Sequence, residues 1–186
     1  MPPATDTRAT LDDLYSVEGK AELIGGRIVH LMGSGDQPSF VAFEIAGSLR
    51  DYVRLTGRGQ ARADGLSYAI KEISSGRESF QPDASYYLGP RPSNKLRFVE
   101  GAPTFAVEVR SENDYGPAAE REMAAKRADY FEAGTAVVWD VDTVAELVHK
   151  YHRDQPEVAT TFSRGEIADA EPAVEGWRLA VDLMFA

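Results

Sequence analysis

Two segments of helical periodicity, each closed by a glycine, stand in a chain whose other apolar stretches have only strand length. That pattern restricts the fold to helices packed on a sheet. In the first segment Val41, Ile45, Leu49, Tyr52 and Val53 recur at helical spacing and end at Gly57, a residue suited to a C-cap. The preceding stretch with Gly33, Gly35 and Pro38 reads as a loop. In the second segment, Pro117 to Ala133, proline opens the first turn, Met123, Arg127 and Tyr130 follow the helical repeat, and Gly134 ends it.

The strand-length segments are Gln60 to Ile70, Ala84 to Leu88, Thr104 to Val109, Ala136 to Trp139, Glu146 to His152, Val158 to Phe162 and Trp177 to Val181. Gly89 to Pro103 reads as a loop. Nearer the start, Thr10 is an N-cap candidate for a short helix through Leu11, Leu14 and Val17. Ala21 to Ile24 and Arg27 to Leu31 are then joined by Gly25-Gly26, because adjacent glycines supply the positive φ of a two-residue hairpin turn. The expectation is an α/β (α+β) fold: a mixed central sheet flanked by helices, with an N-terminal β-hairpin. A chain of 186 residues is comfortable with one core. Residues 1–9, rich in proline and threonine, read as a flexible tail, and residues 10–186 as one domain.

Composition removes several function classes. With no cysteine there is no disulfide, thiolate nucleophile or cysteine-based zinc site. No apolar run approaches the roughly 18 residues of a membrane span, and the opening MPPATDTRAT lacks the basic start and apolar core of an export signal, so a cytoplasmic address without membrane contact is expected. The net charge of −10 works against a surface that binds nucleic acid everywhere. Contact with phosphates then requires local clusters of Arg and Lys, or divalent cations that offset the acids.

The chemistry is concentrated in two places. Pro82-Asp83 heads one strand, and Glu108 is the lone acid within TFAVEVR. Strand alternation turns Phe105, Val107 and Val109 to one side, and Ala106, Glu108 and Arg110 to the other. Two carboxylates on neighbouring strands repel unless a cation lies between them, and an oxygen-rich site suits Mg²⁺ or Mn²⁺. Pro-Asp is also a common turn opener, and an acid on a strand also simply faces water. Lys126 shares a helix side with Met123 and Tyr130; it either reaches the carboxylates or lays its stem over apolar surface with its head in solvent.

Taken in order, AELIGGRIVHLM, QPDASYY, APTFAVEVRSEND and KRADYFEAGTAVVWDVD resemble the motifs of the Uma2 family, a restriction-endonuclease-like group of the PD-(D/E)xK nuclease superfamily. The resemblance implies a metal-dependent endonuclease that hydrolyses nucleic-acid phosphodiesters, DNA before RNA. Glu22 then looks like an additional acid of the site, Asp83 like the motif aspartate and Glu108 like the second acid. Asp83, Glu108 and the carbonyl of Val109 would ligate Mg²⁺ or Mn²⁺. The superfamily lysine position, two residues after the second acid, holds Arg110, and Lys126 on the following helix resembles the displaced lysine. Either residue is a source of the positive charge. Where relatives carry a histidine at the start of the first long helix, this chain reads Pro38-Ser39-Phe40. That departure, with the acidic charge, supports an alternative: an inert nuclease-like scaffold that binds nucleic acid or a protein partner. A homodimer is expected from the resemblance alone.

Arg50 and Arg54, one turn apart, and Arg110 are candidate phosphate contacts, although charges so placed on a helix are commonly a solvated face. Arg91, Lys95 and Arg97 form a second basic stretch. His30, His149 and His152 lack metal-ligand spacing and read as structural.

Overall fold

The structure, a computed structural model, describes residues 8–185. The expected tail lies outside the described residues except for Arg8 and Ala9. Both of these dock: the Ala9 N–H donates to the Gly26 carbonyl at 2.8 Å, and Arg8 pairs with Glu72 and Glu78.

Thr10 caps α1 (Leu11–Tyr15) through a reciprocal capping box with Asp13. The hairpin follows as β1 (Ala21–Ile24) and β2 (Arg27–His30), with Gly25 at φ 58° and Gly26 at φ 70° in its turn. Next comes α2 (Asp36–Thr56), closed by left-handed Gly57. This helix starts earlier than its periodicity indicated and takes in Pro38, because a first-turn residue has no intrahelical partner for its N–H and proline forfeits nothing there.

The stretch that reads as one strand over 60–70 is two: β3 (Gln60–Ala63) and β4 (Tyr68–Ala69), which belong to different sheets. A turn with Gly65 at φ 91° separates them. After β5 (Ser79–Phe80) and β6 (Ala84–Tyr87), the expected loop contains β7 (Val99–Glu100), two residues that complete a small sheet in the order β5-β4-β7. Then β8 (Phe105–Val109), α3 (Pro117–Ala133) and β9 (Val137–Asp142) form a parallel crossover unit, and α3 has the bounds the sequence implied. The chain closes with β10 (Leu147–His152), β11 (Gln155–Phe162), β12 (Ile167–Asp169), β13 (Arg178–Ala180) and the single turn α4 (Val181–Met184).

The central sheet runs β11-β10-β9-β8-β6-β3, antiparallel except for the β8–β9 pair. Alternation along β8 decides what covers each face. Phe105, Val107 and Val109 pack with Val41, Ile45 and Leu49 of α2 and with Trp139, Trp177 and Met184. Ala106 faces the other way, toward Tyr130 and Phe131 of α3 and toward Tyr68 and Phe80 of the small sheet. α2 and α3 therefore lie on opposite faces, and Glu108, in phase with Ala106, is directed at α3. Among the described residues no helix is long and apolar enough to cross a membrane.

Candidate active site

Strand register explains why Asp83 and Glu108 meet. Ala84 pairs with Val107, so the next antiparallel position sets Asp83 opposite Glu108 on the α3 side of the sheet. The Asp83 N–H donates to the Val107 carbonyl at 3.0 Å, and the Val109 N–H donates to Asp83 Oδ2 at 2.8 Å, which fixes the carboxylate against β8. Glu22 arrives from β1. It is 2 % exposed, and its Oε1 accepts the Gln81 N–H at 2.9 Å.

The amine of Lys126 joins two of these acids, 2.9 Å from Glu108 Oε2 and 3.3 Å from Glu22 Oε1. Helical spacing supplies a second partner from the next turn, since the Tyr130 hydroxyl donates to Glu108 Oε1 at 2.6 Å. Of the two fates open to Lys126 in the sequence, the structure shows the one that reaches the carboxylates. Glu22, Asp83, Glu108 and Lys126 thus converge from β1, the start of β6, β8 and α3 at the wall of one cleft of about 1080 Å³, which Val109 also lines.

Three further residues complete the cluster. Lys20 Nζ lies 2.7 Å from Asp83 Oδ1 and 2.9 Å from Asp64 Oδ1. Arg77, 6 % exposed, pairs with Glu22 and reaches Asp129 Oδ2 at 2.7 Å. Tyr130, fully buried, stacks on Phe80. Lys20 stands two residues before Glu22, a spacing that shares a strand face and is the one sequence clue to it. Arg77, in the loop SSGRES, carries none, and Tyr130 reads from sequence only as part of the apolar stripe.

Electrostatics separate the acids. Burial pushes Glu108 up to about 7; Lys126 and the Tyr130 hydroxyl hold it down, while the negative charges of Asp83 and Glu22 add to the rise. Burial would raise Glu22 as well, but Lys126, Arg77 and the Gln81 N–H outweigh it and leave Glu22 below the usual carboxylate range. Burial acts to lower Lys126, and Glu108 and Glu22 reverse the effect, so the amine stays protonated. It acts as a fixed positive charge and not as a base.

The remaining candidates lie elsewhere. Arg110 is not free to meet a phosphate: its guanidinium grips Asp140, with Nε 2.7 Å from Oδ1 and Nη2 2.8 Å from Oδ2, and also binds Glu120. The alternation in β8 does place Arg110 on the α3 side, but Asp140 on the adjacent strand, invisible to sequence spacing, takes it up. Arg50 and Arg54 are exposed on α2, both beside Asp51, and line no part of the cleft. Arg97 lies over the Tyr15 ring. His149 Nδ1 is 2.9 Å from Thr161 Oγ1, whereas His30 lines the cleft.

A divalent cation makes its own demands on the donor set. Among the described residues no group of three or more His, Cys, Asp or Glu side chains is arranged to hold a metal ion. The chemistry of the pair Asp83 and Glu108 nonetheless fits a hard cation, since both offer carboxylate oxygen from adjacent strands. Each accepts from an ammonium group, Asp83 from Lys20 and Glu108 from Lys126. The residues fit the group where a cation shares these carboxylates with Lys126 and competes with Lys20 for Asp83.

A mixed sheet with a β8–α3–β9 crossover, carrying paired acids on adjacent strands and a lysine on the crossover helix, defines a protein of the restriction-endonuclease-like class. The family model described as "Uma2: Putative restriction endonuclease" matches residues 9–182, and the chain belongs to the Uma2 family. Its fold is similar to that of a solved structure described as "a putative nuclease belonging to DUF820 from Anabaena variabilis ATCC 29413", at a TM-score of 0.75 and 19% identity, over 95% of this chain and 97% of the other. Comparison with curated proteins finds no match.

Proposed function

We propose that this protein is a metal-dependent nuclease that hydrolyses phosphodiesters of DNA at the cleft where Glu22, Asp83, Glu108 and Lys126 meet. The observation that carries this reading is the convergence of three acids, far apart in sequence, at one cleft, two of them on the Lys126 amine. Family membership supports the reaction class, and the name of the solved relative agrees with it.

Asp83 and Glu108, with the Val109 carbonyl, would hold Mg²⁺ or Mn²⁺. The ion supplies Lewis acidity toward a phosphate oxygen and lowers the pKa of an attacking water. The chain's own residues do the rest. Lys126 sets a permanent positive charge beside the acids, where it orients the water or steadies the negative charge that builds on the phosphoryl oxygens. Glu22, ionised and held by Arg77, gives the Lys126 amine a second carboxylate partner beside Glu108. Tyr130 holds one Glu108 oxygen and so fixes the rotation of that carboxyl group.

The test is cleavage of supercoiled, linear and single-stranded DNA with Mg²⁺ or Mn²⁺ by the wild type, Asp83→Ala and Glu108→Ala. Metal-dependent cleavage lost in both variants is expected; cleavage that survives both substitutions removes this site. A second reading, a scaffold that binds without cutting, is favoured by one observation: all three acids are already neutralised internally by Lys20, Lys126 and Arg77. Metal binding without cleavage of any nucleic acid would place it first. Residence in the cytoplasm and pairing into a homodimer belong to the same proposal; gel filtration over a concentration series tests the pairing.

A further inference from the structure

Lys20 has no role in the resemblance, yet among the described residues it is the only ammonium of the cluster that also pairs with a carboxylate outside it. Its Nζ bridges Asp83 Oδ1 at 2.7 Å and Asp64 Oδ1 at 2.9 Å. Asp83 is the inner partner, with a side chain 12 % exposed; Asp64 is the outer one, at 45 %. The second Asp83 oxygen accepts the Val109 N–H, so Oδ1, which Lys20 holds, is the oxygen at which a divalent cation competes with an ammonium. Lys126 differs in this respect, because both of its carboxylate partners, Glu108 and Glu22, belong to the cluster itself.

We infer that Lys20 is a built-in counter-ion for Asp83 that is exchanged for a divalent cation, with Asp64 retaining the displaced ammonium. This rests on the proposed carboxylate site. The physical reason is competition: a carboxylate bound to an ammonium in a half-buried setting gives up that contact when the metal enters, so the observed affinity is lower than the affinity of the bare acids. Asp64 reduces the loss, since Lys20 leaves one carboxylate without leaving the other. Metal occupancy in this protein is therefore set by the pair Lys20 and Asp64 as well as by the ligands. Lys20 is a positioning residue here and touches no reacting atom.

The experiment is calorimetric titration of the full chain with Mn²⁺, at low and at high monovalent salt, for the wild type, Lys20→Met, Asp64→Asn and Asp83→Asn. Lys20→Met is expected to bind Mn²⁺ roughly five- to tenfold more tightly, the size of one modest ion-pair contact. Most of that gain should persist at high salt, because salt screens distant charges far more than a contact pair. Asp64→Asn is expected to bind more weakly than the wild type. A Lys20→Met affinity equal to or below that of the wild type, a gain abolished by salt, or an Asp64→Asn affinity equal to that of the wild type overturns the exchange. Asp83→Asn tests the underlying site separately. If it binds Mn²⁺ as well as the wild type, or if no variant binds at all, the carboxylate site falls and the exchange with it. If Asp83→Asn abolishes binding while Lys20→Met changes nothing, only the exchange falls.

Discussion

Tyr130 donates its hydroxyl proton to Glu108 Oε1 at 2.6 Å from a ring with no exposed surface, so the acid at the centre of the site is held by a residue of the core. Tyr130→Phe keeps the stack on Phe80 and removes only this bond. A hydrogen bond to a charged group is worth about 1.5–3 kcal/mol, and losing it should lower unfolding stability by that amount. The Glu108 pKa should move further up, because the hydroxyl favours the ionised form. Urea denaturation above the Glu108 value of about 7, where the carboxyl is ionised, reads the first effect, and NMR titration of that carboxyl reads the second; unchanged values in both would remove Tyr130 from the site.

Glu108 also predicts how stability depends on pH. Its folded pKa is raised, from an ordinary 4.5 to about 7, mainly by burial. Below about 4.5 the folded and unfolded states are both protonated and its contribution is fully present. Between the two values the unfolded chain releases a proton that the folded chain keeps, so stability falls as pH rises, and above about 7 the loss is complete. A difference of this size corresponds to about 3 kcal/mol. Glu22, whose folded pKa is depressed, acts in the opposite sense: its contribution is present above the ordinary carboxylate value and lost on acidification below it. Unfolding of the wild type and Glu108→Gln in a chelator, from about pH 4 to 8, isolates the Glu108 slope as their difference. Parallel curves would contradict it.

Arg77 joins Glu22 to Asp129 inside the protein, and its removal should be the most disruptive single change near the cleft. Arg77→Met leaves Asp129 without this partner and Glu22 with Lys126 alone among cations. Breaking a buried pair from one side costs about 3–5 kcal/mol. The double variant Arg77→Met with Asp129→Asn should recover part of this, since it removes one of the stranded charges. Guanidinium midpoints of the two variants give the answer, and a double variant no more stable than the single one would show that Asp129 was not left uncompensated.

What the sequence disclosed depended on whether the determining contacts were local. α3 was legible at both ends because Pro117 and Gly134 act on the backbone directly, as did Gly57 at the end of α2. The Glu108 direction followed from alternation, and the approach of Lys126 and Tyr130 from one helix side. Other features depend on pairings between distant residues. The break after β3 follows from Tyr68 pairing with Phe80 and Val99 while Gln60 to Ala63 pair with β6. Arg77 meets a partner 55 residues earlier and another 52 residues later, and no local pattern marks it. Lys20 finds Asp83 63 residues on, through the docking of the hairpin.

Arg110 stands where the superfamily resemblance places a lysine, which makes Arg110→Lys an informative exchange. If that position supplied the active-site charge, lysine would restore the usual arrangement and raise cleavage. The structure ties Arg110 to the scaffold instead, since its planar fork binds both oxygens of Asp140, which is completely buried, and reaches Glu120 on α3. A lysine brings one compact charge and cannot make the paired contact. Asp140 would then depend on Arg127, 3.2 Å away, and the tie from β8 to the first turn of α3 would be lost. Arg110→Lys should therefore cost about 2–3 kcal/mol of stability, as expected for a weakened buried ion pair, with no gain in DNA cleavage. Urea denaturation and plasmid nicking on the same preparations check both halves. A stable variant with raised cleavage would return the charge to Arg110 and take it from Lys126.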